Sequence, residues 1–440
     1  MSRLARRDEH DREILALALP AFGALAAEPL YVLVDTAIVG RLGTKPLAGL
    51  AVAGIVLTAV FGIFNFLAYG TTGAVARRVG AGDRKGAAEQ GIDGMWLAVG
   101  LGLALAVLGL VFAPLIVHGM GASAKVRPYA LTYLRISLLG SPFVLLALAG
   151  AGYQRGTQDT RTTLVIALLS NVANLAIELL FVYGLHLGIA GSAWGTVIAQ
   201  IGAAAAYTGI IGRAVRALHA SIAPDWAGIR AAAVVGSQLV VRTGSLLFAL
   251  LVTTAIASRI GDTEVAAHQV AYEVWSFLAL SLDAIAIAGQ ALVGRYLGAD
   301  DAVRTRAAAR RMLELGVLAG IVLAIAVVGT RTVLPSLFTG DPAVRHTAGT
   351  VLLIVGGLQP LAAAVFVLDG ILIGAGDTRY LAIAMAGATA VYLPAAALVL
   401  VSHHGLLALW GAIALWMFAR FAGMMWRYVG NAWIVTGATR

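Results

Sequence analysis

The chain has no cysteine, three lysines and only 12% charged residues over 440 positions. Without a thiol there is no disulfide, no thiolate nucleophile and no cysteine-ligated metal centre. The scarcity of charge, about half of the roughly 25% usual in soluble domains, excludes an ordinary globular protein. None of Lys45, Lys85 and Lys125 precedes Ser or Thr, so there is no Walker A loop, and no histidine precedes Glu, which removes the H-E-x-x-H zinc motif. What fills the chain instead is apolar: 60% of residues are hydrophobic and the mean hydropathy is +0.89. This is the composition of a polytopic membrane protein. The formal charge of +9 raises nucleic acid as a partner, but the basic residues sit in short clusters between apolar runs rather than on one soluble face. Membrane topology accounts for them, and no nucleic-acid partner is expected. Arginine far outnumbers lysine, and Ala and Gly abound, which points to a GC-rich bacterial genome and so to a bacterial cytoplasmic membrane.

A spanning helix needs about 20 apolar residues. Twelve segments supply them, at roughly 13–40, 46–72, 92–116, 128–152, 162–185 and 188–211 in the first half and 230–258, 264–293, 310–332, 344–373, 379–401 and 404–428 in the second. The apolar stretch from Ile14 is too long for the core of a signal peptide and reads as span 1. The two halves are copies. Val34-Asp-Thr-Ala-Ile-Val-Gly-Arg-Leu-Gly43 aligns without a gap to Val252-Thr-Thr-Ala-Ile-Ala-Ser-Arg-Ile-Gly261, 218 positions on. The same shift carries Arg77 to Arg295, Gly80 to Gly298, Asp83 to Asp301 and Asp159-Thr160-Arg161 to Asp377-Thr378-Arg379. Six spans per copy is an even number, so both copies enter the membrane from the same side and the repeats are parallel. The fold expected is an all-α integral membrane protein of twelve transmembrane helices in two lobes, 1–212 and 230–440, joined by a basic linker at 213–229. Counting the termini and every second loop as one side gives 22 basic residues against about eight opposite, which puts both termini in the cytoplasm.

Ionisable groups within spans are costly and usually face a cavity or a partner. At about 1.5 Å rise per residue, Asp35 on span 1, Glu178 and Asn174 on span 5 and Thr196 on span 6 lie roughly 9–17 Å below the outer ends of their helices. They are read as one cluster, with Asn174 and Glu178 on one helix face at i, i+4. Two carboxylates close together in a low-dielectric pocket do not both stay ionised without cost, so such a site exchanges a proton or holds Na⁺. The alternative is that Asp35 merely pairs with a buried donor or with Arg41. In the second half Arg242, Asp283 and Asp369, on spans 7, 8 and 10, fall at matching depth, roughly 15–18 Å from the cytoplasmic ends. One arginine between two aspartates makes either a net-negative pocket suited to an organic cation or an ion pair that pins three helices. Arg242 is the one clear base inside a span. Pro20 and Pro29 each remove a hydrogen bond from span 1, so kinks are expected there. Trp410, Trp416, Trp426, Trp433 and Tyr428 read as interfacial aromatic belts, and His403-His404 as a loop.

These residues resemble the multidrug and toxic compound extrusion (MATE) family, and more closely its DinF-type branch. The likeness runs over nearly the whole chain. It is carried by Pro29-Leu-Tyr-Val-Leu-Val-Asp-Thr-Ala-Ile-Val-Gly-Arg-Leu-Gly43, Asn171-Val-Ala-Asn-Leu-Ala-Ile-Glu178, Leu282-Asp283 and Leu368-Asp-Gly-Ile-Leu-Ile-Gly-Ala-Gly-Asp377. The resemblance implies a V-shaped pair of six-helix lobes that exports amphipathic, often cationic compounds by inward movement of H⁺ or Na⁺, with H⁺ favoured. It also implies a first-lobe site at Asp35, Asn174, Glu178 and Thr196, a helix proline at Pro20, and branch-specific acids at Asp283 and Asp369. Glu178 stands where the family usually has Asp.

The function expected is therefore an antiporter of small organic molecules that works by alternating access as a monomer, is not an enzyme, and needs no cofactor beyond its coupling ion. Two other readings compete. One is a lipid-linked precursor flippase, which would need a strongly basic cavity. The other is an integral-membrane enzyme, which would need a reactive polar cluster that is not visible.

Overall fold

The computed structural model describes residues 3–402 and 404–439, with side chains from residue 10 onward. His403 lies outside the described residues. In the first half the helices are α1 (Arg3–Gly40), α2 (Thr44–Phe64), α3 (Phe66–Gly80), α4 (Arg84–Gly119), α5 (Arg127–Leu139), α6 (Ser141–Gly156), α7 (Thr160–Leu179) and α8 (Ile189–Ala217). In the second half they are α9 (Trp226–Ile260), α10 (Asp262–Gly298), α11 (Ala302–Thr330), α12 (Pro342–Gly374), α13 (Thr378–Ser402) and α14 (Gly405–Val429). There is no strand among the described residues. Eleven helical segments are long and apolar enough to cross a membrane, and the pair α5 and α6, bent by 49° at Gly140, makes a twelfth. The all-α membrane architecture expected from hydropathy is thus the one observed. It follows from the solvent: in hydrocarbon every backbone N–H and C=O must be satisfied within the segment, which a continuous helix does.

The duplication is visible in local geometry. Asp83 opens α4 by accepting the Gly86 N–H at 2.8 Å, and its repeat mate Asp301 opens α11 by accepting the Arg304 N–H at 2.8 Å. These are N-caps, each satisfying an amide the helix cannot. The residue before each cap takes a left-handed backbone, φ 77° at Gly82 and 60° at Asp300, and the pair Gln158 and Gly376 does likewise at 68° and 69°. Helix packing repeats as well. A Cβ on Gly152 of α6 would stand 2.6 Å from the Ala68 carbonyl oxygen of α3, and one on Gly370 of α12 would stand 2.3 Å from that of Ala286 on α10. Ala68 and Ala286, like Gly152 and Gly370, are separated by the same 218 positions. Small residues at these crossings let the backbones touch, which is how apolar helices associate where lipid removes the hydrophobic drive.

The described chain divides into two compact units, Leu19–Gly236 and a second made of Ser237–Ala438 with the residues up to Ala18. Compared with lobes drawn at 1–212 and 230–440, the start of α1 therefore belongs with the second half. Its chemistry explains why. Glu13 accepts from Arg295 Nη2 at 2.7 Å and from the Tyr296 hydroxyl, and both Asp11 oxygens take Arg311, at 2.6 and 2.7 Å. The division falls two residues before Pro20, and α1 continues as one helix through Pro20 and Pro29.

Candidate functional site

In the unit Leu19–Gly236 the sequence-predicted residues come together around α1, α7 and α8. Asp35 is buried. Its Oδ1 accepts from Ser192 Oγ at 2.5 Å and its Oδ2 from the Tyr133 hydroxyl at 3.4 Å. Thr196, one turn beyond Ser192, accepts from Asn174 Nδ2 at 3.2 Å, lies 2.7 Å from the Tyr31 hydroxyl, and donates to the Ser192 carbonyl at 3.2 Å. Glu178 is buried within hydrogen-bond reach of Asp35 and Ser192, while no donor is directed at either of its oxygens or at Asn174 Oδ1. Gly195 makes the approach possible: a Cβ there would lie 3.2 Å from Glu178 Cα. Directly after Glu178, α7 widens into a π-helical turn at Leu180–Gly184, a departure from α geometry that recurs at functional sites.

Asp35 does not pair with Arg41, which is exposed, and no basic side chain bonds either carboxylate among the described residues. The cluster is therefore two buried acids and an amide oxygen among neutral groups, with Asp35 held by the Ser192 and Tyr133 hydroxyls. Sequence reasoning missed Ser192, Tyr133 and Tyr31. Ser192 was findable, because it stands at i−4 from Thr196 and so shares its helix face. Tyr133, on α5, carries no local signal that ties it to Asp35. The repeat mates of this cluster are neutral: Asp35 corresponds to Thr253, Asn174 to Tyr392 and Glu178 to Ala396, and Thr253 Oγ1 simply lies 2.5 Å from the Tyr392 hydroxyl.

In the second unit Arg242 on α9 binds Asp369 on α12 through both Nε, at 3.2 Å, and Nη2. This fork-to-carboxylate geometry is the strong form of the pair. Asp283 is half-buried on α10. The expectation that Arg242 is the one base in the membrane interior does not hold: Arg420 on α14 is buried too and within electrostatic range of Arg242. Arg242 and Asp369 thus form an ion pair, the alternative to a net-negative pocket. Arg420 lies nine residues before the end of its helix at Val429, inside the span expected at 404–428, and was not singled out from the sequence. The aromatic belt also needs correction. Trp410, Trp416 and Trp433 are buried, and only Trp426 of the four tryptophans is exposed. Trp433 stacks on Tyr428 at 5.7 Å, while Trp410 and Trp416 pack inside the unit against Trp275 and Tyr392, at 6.2 and 6.0 Å.

Twelve membrane-length segments, a twofold internal repeat and buried acids in the first repeat define a multi-pass membrane protein of the secondary-transporter type. A family model described as MatE matches residues 20–180 and 244–398, one stretch in each repeat. The chain belongs to the MATE family. It is similar to Protein DETOXIFICATION 43 of Arabidopsis thaliana, 30% identical over an alignment of 476 residues that covers 94% of this chain and 89% of the relative. It is also similar to DNA damage-inducible protein F of Escherichia coli strain K12, 27% identical with 95% and 92% covered. Among solved structures, a MOP superfamily transporter from Pyrococcus furiosus superposes with a TM-score of 0.86 at 20% identity, covering 96% of each chain. That likeness concerns the fold alone.

Proposed function

We propose that the protein is a cation-coupled antiporter that exports small amphipathic organic compounds from a bacterial cytoplasmic membrane, with both termini cytoplasmic and one chain as the working unit. H⁺ is favoured over Na⁺ as the coupling ion. The observation that carries the reading is the pair of buried carboxylates, Asp35 and Glu178, with no base beside them and within hydrogen-bond reach of each other. Such a pair is relieved when one acid takes a proton, which needs no further ligands, or when the oxygens share a small cation. The Ser192 hydroxyl holds the Asp35 side chain in place. The acids with no base beside them lie in the first repeat, whereas Asp369 of the second is paired with Arg242, and two parallel repeats supply the units that alternating access requires.

The test is ethidium movement in vesicles reconstituted with the protein, imposing a pH gradient and a Na⁺ gradient separately. Wild type should move ethidium under one gradient, which identifies the ion, and Asp35→Asn should express and fold but lose that movement. Wild type that responds to neither gradient, or an Asp35→Asn variant that pumps normally under both, overturns the proposal.

A further inference from the structure

Pro342, Arg345, His346, Gly349 and Thr350 recur at helical spacing and so make one face of α12 over its first turns. Across from them stand Arg331 and Thr332, directly after α11 ends at Thr330. Between the two runs lies a cavity of about 290 Å³, wholly within the second unit. Pockets for drug-sized molecules run to roughly 300–1,000 Å³, so this one suits a small headgroup. Gly349 sets how closely its walls approach. A Cβ there would stand 3.0 Å from the Arg331 carbonyl oxygen, so the end of α11 rests on α12 only because the residue is glycine.

Two arginines and a histidine therefore share one small space. Neither arginine pairs with a carboxylate among the described residues. Asp341, the acid next to the cavity in sequence, serves α12 itself: its Oδ1 accepts from the Ala343 N–H at 2.8 Å and the Val344 N–H at 3.4 Å. An anion entering the cavity thus meets side-chain donors rather than the capped amides of the helix. With α2 and α3, and likewise α5 and α6, counted as one span each, the turn after α11 follows the ninth crossing and lies opposite the N-terminus. Basic residues are scarce on that face, about eight against 22, so a cluster of them there runs against the usual bias.

The same turn is apolar where it is most open. Val333, Leu337 and Phe338 are 61%, 75% and 50% exposed, around the short 3-10 turn Leu334–Leu337. At the end of two membrane-length helices such side chains meet the boundary between headgroups and acyl chains. A basic cleft beside lipid-facing apolar residues fits a molecule with an anionic head and an apolar tail.

We infer that Arg331 and Arg345, with His346 and Thr332, bind the phosphate of an anionic glycerophospholipid in the leaflet opposite the N-terminus. A guanidinium takes two phosphate oxygens at once, which an ammonium does not. The exposed Leu337 and Phe338 decide for a lipid over free phosphate, which gains nothing from them. The site is separate from the carboxylate cluster, and binding at it needs no ion gradient.

The test is native mass spectrometry of the full chain in a neutral detergent, with dioleoylphosphatidylglycerol and dioleoylphosphatidylcholine competing in equal amounts. Inorganic phosphate is added in a further arm. Wild type should retain phosphatidylglycerol at least tenfold over phosphatidylcholine, and phosphate at the same concentration as lipid should not displace it. Changing Arg331→Gln and Arg345→Gln together should bring the ratio close to one, while Arg331→Lys with Arg345→Lys should keep part of it. Arg259→Gln removes an exposed arginine of the same membrane face outside the cavity, and should leave the ratio unchanged. No preference in wild type overturns the inference, and so does an equal fall in Arg259→Gln, which would reflect charge alone. Displacement by phosphate assigns the cavity to a free anion and overturns the lipid. If the double glutamine variant does not fold, Arg345→Gln alone decides, with a threefold or greater loss expected and an unchanged ratio counting against the site.

Discussion

Ser192 Oγ donates to Asp35 Oδ1 at 2.5 Å, tying α8 to α1. A hydroxyl this close to a carboxylate is a charge-assisted bond, and Tyr133 at 3.4 Å is too long to replace it. Hydrogen bonds to charged groups contribute about 1.5–3 kcal/mol, equivalent to roughly tenfold or more in an equilibrium. Ser192→Ala should therefore fold but move ethidium about tenfold more slowly than wild type in the gradient assay. An unchanged rate would mean that Asp35 needs no such orientation.

The start of α1 is held to the second unit by Glu13, which accepts from Arg295 at 2.7 Å and from Tyr296. Glu13→Ala leaves a partly exposed donor, Arg295, and a buried one, the Tyr296 hydroxyl, without their acceptor, at a cost of about 1–3 kcal/mol. The expected result is a melting temperature lowered by a few degrees. Glu13→Gln, which keeps an accepting oxygen, should lie between the two. A melting curve that does not move in either variant would show that α1 is held by packing instead.

Much of this was legible in the chain before any coordinates. Span number and the repeat were plain because lipid imposes a coarse rule, about 20 apolar residues per crossing, and because Asp83 and Asp301, or Gly152 and Gly370, do the same local work in each copy. Asp35, Asn174 and Thr196 were findable because a polar group inside such a span is conspicuous. Tyr133 and Trp416 were not, since aromatic residues are as ordinary in a packed interior as at an interface, and the alternation that marks a buried face is weak in helices apolar on every side. Arg420 was passed over although its span was read correctly, at 404–428 against the observed Gly405–Val429, because an arginine two turns from a helix end can extend to the interface.

Gly370 and Ala286 bring α12 and α10 into backbone contact, with room for hydrogen only. Gly370→Val should prevent accumulation of monodisperse protein, because a Cβ would sit 2.3 Å from a carbonyl oxygen and neither backbone has a rotamer with which to yield. Gly54→Ala on α2, where nothing lies within 4 Å, is the control and should leave yield unchanged, or raise it slightly through the better helix propensity of Ala. Size-exclusion profiles of the two variants decide. A well-behaved Gly370→Val would mean that the helices separate at small cost.

Glu178→Gln separates folding from coupling better than any other change at the site. The two side chains have nearly the same shape, the backbone at Glu178 is fixed by the close passage of Gly195, and an amide can still donate to Asp35 and accept from Ser192, the two side chains within hydrogen-bond reach of Glu178. Stability should therefore match wild type. Coupling should not survive, since an amide neither takes up a proton at any working pH nor brings a negative charge beside Asp35. If the two acids act as one titrating unit, their losses will not add: Asp35→Asn, Glu178→Gln and the double variant should all fall to the same gradient-independent background. A double variant much slower than either single would show that each carboxylate serves a separate step, and a Glu178→Gln variant that still pumps would leave Asp35 as the sole coupling acid.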